Sequence, residues 1–312
     1  MGASRGWRSL IPKLDPRVWI LAAGRLLSQV GIGFTLFYAP IFFINQVGLS
    51  ATAVGLGLGC QSISGLIGRF VGGSMADSTQ WGRRRTLLLS AAISVLADGA
   101  FVLTNNFTVF VIGNLLMGLG VGLYWPATEA VVADITHTDN RNEAFATVRL
   151  ADSLGLGLGV VLGGALIAAT GAYRALFVID GVTFALFFAI VAVAIAETLP
   201  NDANPRNFWA GWGAALRDRT LLIFVAVNIL FTTYMAQVQS TLPVYLNRFA
   251  TVGDTTGFSE AVLSGLFTWH VALAAICQLP VARLLRNISQ SQALMVSAGL
   301  WALGFVGIQG SG

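Results

Sequence analysis

The sequence has few charged residues and no loop of the type that binds ATP phosphates. Only 10% of its 312 residues are Asp, Glu, Lys or Arg, whereas soluble domains usually carry about 25%. The formal net charge is only +4, so charge gives no reason to expect a nucleic-acid partner. The chain has no Gly-x-x-x-x-Gly-Lys-Ser/Thr segment, so we do not expect ATP to be its energy source.

Cysteine and histidine are also scarce, with two of each. Cys60 and Cys277 both lie in apolar runs, and neither histidine has a metal-ligating neighbour at helical spacing. We therefore expect two small buried thiols, no disulfide, no metal and no cofactor. The polar segments show no acid–base pair or nucleophile motif, which argues against an enzyme.

The sequence is instead rich in long apolar runs, with 55% hydrophobic residues and a mean hydropathy of +0.75. A membrane span needs roughly 20 apolar residues, and helices satisfy their backbone hydrogen bonds within the span. We therefore predict an all-α polytopic membrane protein. The nine predicted spans are 18–44, 51–76, 86–104, 108–133, 144–169, 173–196, 220–245, 259–283 and 291–309.

The arginines predict the orientation of these spans. Most of the 18 Lys and Arg residues lie before span one or in every second connection after it, and three of them are consecutive at 83–85. Positive residues mark the cytoplasmic side. We therefore expect a multi-pass protein of the plasma (inner) membrane, with a cytoplasmic N-terminus.

The polar segments also predict how the chain is divided. We expect a cytoplasmic N-terminus at 1–17, a six-helix bundle at 18–196, a cytoplasmic linker at 197–219 and a second, three-helix part at 220–312. Within the linker, Phe208–Trp212 reads as an interfacial helix with two tryptophans. Spans two and three weakly resemble spans eight and nine, as in transporters built from repeats. On that pattern the second part is incomplete, so we expect the sequence to lack the last three spans.

The connection between spans two and three carries a compact motif. It contains Gly73, Asp77, Gly82, Arg83 and Arg84, with Ser78 directly after the aspartate. A carboxylate and three successive guanidinium groups cannot lie in hydrocarbon without a large cost. This stretch is therefore predicted to be a loop at the membrane surface.

Three further segments, in spans four, five and six, have distinctive sequences, and two of them are rich in glycine. Gly113–Gly122 in span four contains Asn114, Gly155–Gly164 lies in span five, and Phe177–Asp180 opens span six. Together with the loop motif, they resemble the major facilitator superfamily, nearest its drug:proton antiporter branch. Asn114 stands where that branch has an arginine, Ser78 also replaces an arginine, and the loop is two residues longer than the family pattern.

The resemblance implies a major-facilitator-type fold, with a complete six-helix bundle followed by three helices of a second bundle. It implies a secondary active transporter that works by alternating access, exchanging protons for small amphipathic solutes or drugs that it exports. It also makes the loop residues Gly73, Asp77, Gly82, Arg83 and Arg84 a gating element. The expected partners are a small-molecule substrate, protons and the bilayer, and we expect a monomer. Two alternatives remain open: an uptake facilitator for a sugar or other metabolite, and a non-transporting scaffold or inactive fragment.

Four charged residues lie inside the predicted spans, about one or two turns from their cytoplasmic ends. They are Arg25, Arg69, Glu129 and Asp152. Charges at similar depth in a membrane are expected to pair. The pairs either form a gate that breaks during transport or form a static, self-neutralising cluster.

Two other residues are candidates for proton coupling. Asp98 lies near the middle of span three, and His270 near the middle of span eight. A carboxylate or imidazole at that depth can carry a proton. In the alternative for Asp98, its carboxyl group forms a hydrogen bond with Asn114 and holds two helices together. In the alternative for His270, the side chain is only a hydrogen-bonded packing residue.

Polar and aromatic residues on spans one, four and seven predict a cavity wall, because a lipid-facing helix would avoid such groups. Amide and aromatic groups with few charges suit amphipathic or apolar solutes. The cavity-lining candidates are Gln29, Tyr38, Asn114, Trp125, Asn228, Thr232, Tyr234 and Gln237.

Overall fold

The structure is a computed structural model, and it describes residues 12, 14–36, 38–199, 213, 215–248, 251–252, 255–256, 260–285 and 288–309. The chain divides into two compact units, Met1–Pro205 and Arg206–Gly312. The predicted interfacial helix at 208–212 lies outside the described residues.

The first unit is built from long helices that follow the predicted apolar runs. Helices α1 and α2 together form the first span, and each later helix forms one span. The helices are α1 (Pro16–Leu36), α2 (Tyr38–Asn45), α3 (Ala51–Ala76), α4 (Gly82–Val102), α5 (Phe107–Asp134), α6 (Arg141–Thr170) and α7 (Tyr173–Ala194). A short 3₁₀ turn, Thr138–Asn140, precedes α6.

Local sequence sets several helix ends. The Ser50 hydroxyl accepts a hydrogen bond from the Ala53 N–H and caps α3; the Asn106 side chain accepts one from the Val109 N–H and caps α5. Both side chains satisfy donors that a helix N-terminus leaves free. Gly171 ends α6 in the left-handed conformation, with φ +65°, where glycine has no steric penalty.

The helices of the first unit pack in a regular pattern. Helix α1 packs against α6 and α7, α3 against α5, and α4 against α5 and α7. Thus the first three spans mostly contact the last three. The described helices form one bundle around a common interior.

Two pairs of helices approach closely enough for their backbones to touch. A methyl group at Gly33 of α1 would lie 2.8 Å from Gly159 Cα of α6, and one at Gly68 of α3 would lie 3.0 Å from Gly122 Cα of α5. Small residues allow this approach in membrane helices. We call these contacts the α1–α6 seam and the α3–α5 seam.

By length and composition, six segments in the described part of the chain can cross a membrane. They are Pro16–Asn45, Ala51–Ala76, Gly82–Val102, Phe107–Asp134, Thr138–Thr170 and Tyr173–Ala194. All six coincide with the first six predicted spans.

The described part of the second unit includes three long helices and a short hairpin. The helices are α8 (Arg219–Arg248), α9 (Glu260–Leu284) and α10 (Gln290–Gln309), and they cover the last three predicted spans. Strands β1 (Thr251–Val252) and β2 (Thr255–Thr256) pair antiparallel between α8 and α9.

The structure differs from the sequence prediction at the loop before span three. Arg83, Arg84 and Arg85 form the first turn of α4 rather than an irregular loop. Gly82 turns the chain with φ +75°, and the Glu197 carboxylate accepts hydrogen bonds from the backbone N–H groups of Arg83 and Arg84, at 3.0 and 3.1 Å. A distant carboxylate therefore satisfies this helix N-terminus, and a pattern confined to the loop does not reveal it.

Candidate functional site

A cavity of about 640 Å³ lies within the first unit. Its walls are largely apolar, with side chains from α1 to α7. The polar side chains in the wall are Ser28, Gln29, Thr35, Gln61, Ser94, Asn114, Tyr124, Trp125, Asp152, Ser153 and Asp180. Among the described residues that line it there are two carboxylates and no Lys, Arg or His.

A group of phenylalanines packs at one part of this wall. The ring centroids of Phe43 and Phe110 are 4.4 Å apart, and those of Phe101 and Phe177 are 5.5 Å apart. In both pairs the two ring planes are tilted relative to each other. Such ring pairs contribute about 0.5–1.5 kcal/mol each beyond their buried area. Aromatic packing from α2, α4, α5 and α7 therefore gives this part of the cavity a fixed apolar surface.

Arg25 is the largest fully buried side chain among the residues whose burial is described, and it has 0% exposure. Its guanidinium donates two hydrogen bonds to Asp152, the Nε bond measuring 2.9 Å to Oδ1. Arg25 Nη1 lies 3.8 Å from Glu129 Oε1, and the guanidinium lies 5.1 Å from the Trp125 ring and 5.7 Å from the Tyr124 ring. We call Arg25, Glu129 and Asp152 the Arg25 cluster. It joins α1, α5 and α6 beside the cavity.

The fourth residue expected in this network lies elsewhere. Arg69 is exposed on α3, and none of the ion pairs found among the described residues includes it. The prediction that Arg69 joins the network was wrong for this structure. The prediction considered depth along the helix but not the face of the helix, and neighbouring Ser64 and Gly68 take the buried face.

The basic motif at the start of α4 is held by carboxylates from other helices. Arg83 Nε donates a hydrogen bond to Asp134 Oδ2 at 2.8 Å. Arg83 Nη1 donates one to the Ala76 carbonyl at 2.6 Å, and the same nitrogen lies 3.3 Å from Asp77 Oδ1. Arg84 Nη2 donates to the Ala192 carbonyl of α7 at 2.6 Å. The motif thus ties the ends of α3, α5 and α7 together. Gly73, the motif's first glycine, lies beside Pro126 of α5.

Asp98 is buried, with 1% exposure, but it does not bond Asn114. The Asn114 amide donates to the Phe110 carbonyl of its own helix at 2.8 Å, and neither Asp98 oxygen has a hydrogen-bond partner among the described residues. Asp98 instead lies against Gly181 of α7. The structure therefore contradicts the alternative in which Asp98 and Asn114 lock two helices.

The predicted cavity-lining residues divide into three groups. Gln29, Asn114 and Trp125 line the cavity. Tyr38 does not line it, because its hydroxyl donates to the Val160 carbonyl at 3.0 Å and its ring lies over Gly163; that prediction was wrong.

The remaining candidates lie in the second unit. Asn228 and Thr232 are exposed on α8, where the Thr232 hydroxyl donates to the Asn228 carbonyl. The side chains of Tyr234, Gln237 and His270 lie outside what the structure describes, although all three residues belong to helices.

Sequence reasoning missed three acidic residues that the structure gives clear positions. Asp134 and Glu197 hold the basic motif, and Asp180 lines the cavity. A signal was present for the first two, since buried arginines need carboxylate partners and these acids follow the ends of spans four and six. Asp180 was seen only as part of a motif, and its position two turns into a span was overlooked.

Comparison with known proteins gives a consistent result. A family model described as Major Facilitator Superfamily matches residues 21–308. Among curated relatives, an uncharacterised MFS-type transporter, YqjV of Bacillus subtilis (strain 168), is 24% identical over 91% of this chain and 68% of its own. Multidrug resistance protein MdtH of Aeromonas hydrophila is 23% identical over 85% of this chain and 64% of its own.

A third relative is a Na(+), Li(+), K(+)/H(+) antiporter of Planococcus maritimus, 26% identical over 72% of this chain and 56% of its own. The chain therefore spans between 56% and 68% of the length of these three relatives.

Solved structures share the fold at lower identity. The human organic anion transporter MFSD10 (TETRAN) gives a TM-score of 0.60 at 18% identity, covering 90% of this chain and 74% of that one. A peptide transporter, POT, in complex with sulfate gives 0.53 at 15% identity, covering 83% and 51%. The sequence match over most of the chain and the shared helical fold agree, so this multi-pass membrane protein belongs to the Major Facilitator Superfamily, a family of transporters and not of enzymes.

Proposed function

We propose that the protein exports small amphipathic solutes in exchange for protons, by alternating access. The observation that carries this proposal is the cavity of the first unit, with apolar walls, amide groups and two carboxylates. Ligand sites commonly combine apolar walls with a few placed polar groups. Asp152 is already paired with Arg25, whereas no described ion pair includes Asp180. Because Asp180 lines the cavity, an amphipathic solute with a positive charge fits it best.

The names of two relatives also support proton-coupled export. They are named for multidrug resistance and for cation/proton antiport, and those activities belong to those proteins. For this chain they favour export coupled to protons over uptake of a neutral metabolite.

We propose that the Arg25 cluster acts as the gate in this cycle, on the side predicted to be cytoplasmic. Arg25 forms a strong contact with Asp152 and a longer contact, at 3.8 Å, with Glu129. Glu129 is one-third exposed, whereas Arg25 is fully buried. The Glu129 contact can therefore break at low cost while Asp152 keeps the guanidinium paired. The basic motif of α4, with Gly73, Asp77, Gly82, Arg83 and Arg84, is proposed to hold the helix ends during this movement.

The proposal is tested with the full-length protein in proteoliposomes that contain a pH-sensitive dye. Tetraphenylphosphonium, an amphipathic cation, is added under an imposed proton gradient. Proton movement that depends on the added cation is expected. Glu129→Arg should abolish it, whereas Asp139→Asn, at an exposed acid, should not.

Two other outcomes would overturn the proposal in different ways. Equilibration of labelled tetraphenylphosphonium that is faster than in protein-free liposomes, without proton movement, would identify a facilitator. Absence of both fluxes, across a panel of cationic, neutral and anionic amphipathic solutes, would favour a non-transporting scaffold.

A further inference from the structure

Three polar atoms around Arg25 are buried without a hydrogen-bond partner among the described residues. They are Arg25 Nη1 on α1 and the hydroxyl oxygens of Tyr124 and Thr128 on α5. Arg25 and Thr128 are 0% exposed, and Tyr124 is 7% exposed. A buried polar group that lacks a partner costs free energy, so three of them in one region point to a shared ligand.

The Thr128 hydroxyl differs from those of three other buried threonines. The hydroxyls of Thr86, Thr136 and Thr147 each donate to the backbone carbonyl four residues earlier in their own helix, at 2.7, 2.6 and 2.8 Å. This bond is open to any threonine inside a helix. Thr128 does not form it, so its hydroxyl remains available to a partner outside α5.

The three atoms lie on facing surfaces of α1 and α5. Arg25 contacts the rings of Tyr124 and Trp125, and its Nη1 atom lies 3.8 Å from Glu129 Oε1. At about 100° per residue, Thr128 lies about 40° around α5 from Tyr124, and Glu129 lies about 140° from it. Thr128 therefore lies within the arc of α5 whose residues contact Arg25.

The charges in this region favour a neutral ligand over an anion. Arg25 already donates two hydrogen bonds to Asp152, and Glu129 adds a second carboxylate. One guanidinium between two carboxylates leaves no excess positive charge to attract an anion. The ligand must accept hydrogen bonds from the guanidinium and the hydroxyls, and it must be small, because the three groups are buried. Water meets these requirements, and a buried water typically makes about three hydrogen bonds to such groups.

The site also has an entrance. Ser28 and Tyr124 line the cavity of the first unit, and Ser28 lies one turn from Arg25 on α1, where its hydroxyl donates to the Arg25 carbonyl at 3.0 Å. The Tyr124 hydroxyl has Ser28 and Thr128 as polar neighbours. A water molecule can therefore reach the three buried groups from the cavity, along hydroxyl-bearing side chains.

We propose that one water molecule binds between Arg25, Tyr124 and Thr128 as a constituent of the Arg25 cluster. It accepts hydrogen bonds from Arg25 Nη1 and from the Tyr124 hydroxyl, and it donates to the Thr128 hydroxyl and to the Glu129 carboxylate. The 3.8 Å between Arg25 Nη1 and Glu129 Oε1 is too long for a direct hydrogen bond. A bridging water supplies the missing bond.

The role of this water in transport rests on the proposed gate. When Glu129 moves away from Arg25, the water still accepts from Arg25 Nη1 and from Tyr124. Opening of the gate therefore leaves neither buried donor unpaired, which lowers its cost. Thr128 acts on the gate through the water and is a positioning residue.

The sign of one stability change tests the site. Thr128→Val, in the full-length protein in detergent, replaces the hydroxyl with a methyl group of similar size. Loss of an unpaired buried hydroxyl would raise the unfolding temperature, whereas loss of a hydroxyl that holds a water lowers it, and we expect the fall. Thr86→Val, at an equally buried hydroxyl with a known partner, calibrates the fall. A rise in Thr128→Val would overturn the proposal.

Radiolytic labelling in water enriched in ¹⁸O gives a measurement on the unmodified protein. Hydroxyl radicals formed from a bound water oxidise the nearest side chain, and slow exchange of the ¹⁸O label shows that the water is held. We expect slowly exchanging label on Tyr124 that is lost in Thr128→Val. Phe187, which is 0% exposed and packs on the Tyr124 ring, should carry little. Absence of label on Tyr124, or label that exchanges as fast as on exposed side chains, would contradict a bound water.

Replacing chloride with gluconate distinguishes water from an anion. We expect the same unfolding temperature in both salts. A lower unfolding temperature without chloride, with no such difference in Thr128→Val, would assign the site to an anion and refute the water.

The water site and the export function can fail separately. Slowly exchanging label on Tyr124 without tetraphenylphosphonium-driven proton flux would keep the water site and refute coupled export. Flux at the wild-type rate in Thr128→Val, in which the label is lost, would keep the export function and refute the role of the water in the gate.

Discussion

At the residue scale, Arg25 shows how a charge is kept inside a membrane bundle. Asp152 neutralises it with two hydrogen bonds, and two aromatic rings cover it. The cluster is therefore both a stabilising contact and, as proposed, a gate. These two roles can be separated because they depend on different acids.

Removing the strong partner should destabilise the bundle. Asp152→Asn leaves a buried guanidinium without its bidentate carboxylate, and the free energy of unfolding is expected to fall by about 3–5 kcal/mol. Thermal unfolding in detergent measures the change. Asp15→Asn, which breaks an exposed pair with Arg17, is the control and should cost about 1 kcal/mol or less. Equal losses in the two variants would contradict the assigned role of Asp152.

Reversing the weaker partner should instead stop transport. Glu129→Arg brings a second guanidinium close to Arg25, and the like charges prevent the proposed gate from closing. We expect loss of tetraphenylphosphonium-driven proton flux, with intermediate flux in Glu129→Gln. Wild-type flux in Glu129→Arg would show that the cluster is static.

At the element scale, backbone contact decides how the spans pair. Glycines place α1 on α6 and α3 on α5, while longer side chains would hold these helices apart. The sequence shows the glycine runs clearly, but it does not show which glycines touch a partner. That depends on helix rotation, which is set by the neighbours.

Two glycines of α6 offer a matched test. A methyl group at Gly159 would collide with the Val30 carbonyl and Gly33 of α1, whereas one at Gly157 would meet nothing within 4 Å. Gly159→Ala should lower the unfolding temperature in detergent. Gly157→Ala should leave it unchanged or raise it slightly, because alanine favours helix by up to about 1 kcal/mol. The same loss in both variants would refute the α1–α6 seam.

The Glu197 carboxylate, which is distant in sequence, caps the N-terminus of α4, and this cap can be tested. Glu197→Ala removes the acceptor for the N–H groups of Arg83 and Arg84, at an expected cost of about 0.5–2 kcal/mol. Hydrogen exchange at these two amides should become faster, while exchange near Ser50, which caps α3 locally, should not change. Unchanged exchange at Arg83 and Arg84 would contradict the cap.

At the scale of the whole molecule, apolar run lengths predicted the helices well. The first six spans agree with the structure because twenty apolar residues leave few alternatives to a helix in lipid. The site was predicted less completely: Gln29, Asn114 and Trp125 line the cavity, whereas Tyr38 and Arg69 do not take their expected places. The depth of a residue within a span follows from counting residues along the helix. The side of the helix on which it lies relative to the cavity depends on packing between segments that are distant in the sequence.

The predicted orientation can be tested on the intact protein. In a background with Cys60 and Cys277 replaced by serine, Asp139→Cys and Thr170→Cys place single thiols at opposite ends of α6, both at exposed positions. A membrane-impermeant maleimide should label Thr170→Cys in intact cells and Asp139→Cys only after the membrane is opened. The reverse pattern would overturn the cytoplasmic assignment of the N-terminus.

The two glycine seams also have a consequence for conformational entropy. Glycine has no side-chain rotamers to lose, so closing these seams does not incur the rotamer entropy loss that larger residues would. The helices are already formed before they associate in a bilayer, so glycine's usual backbone penalty is largely absent at this step. Backbone atoms in direct contact leave no flexible side chain to absorb a displacement. The helices joined by each seam are therefore expected to move together, as two rigid pairs.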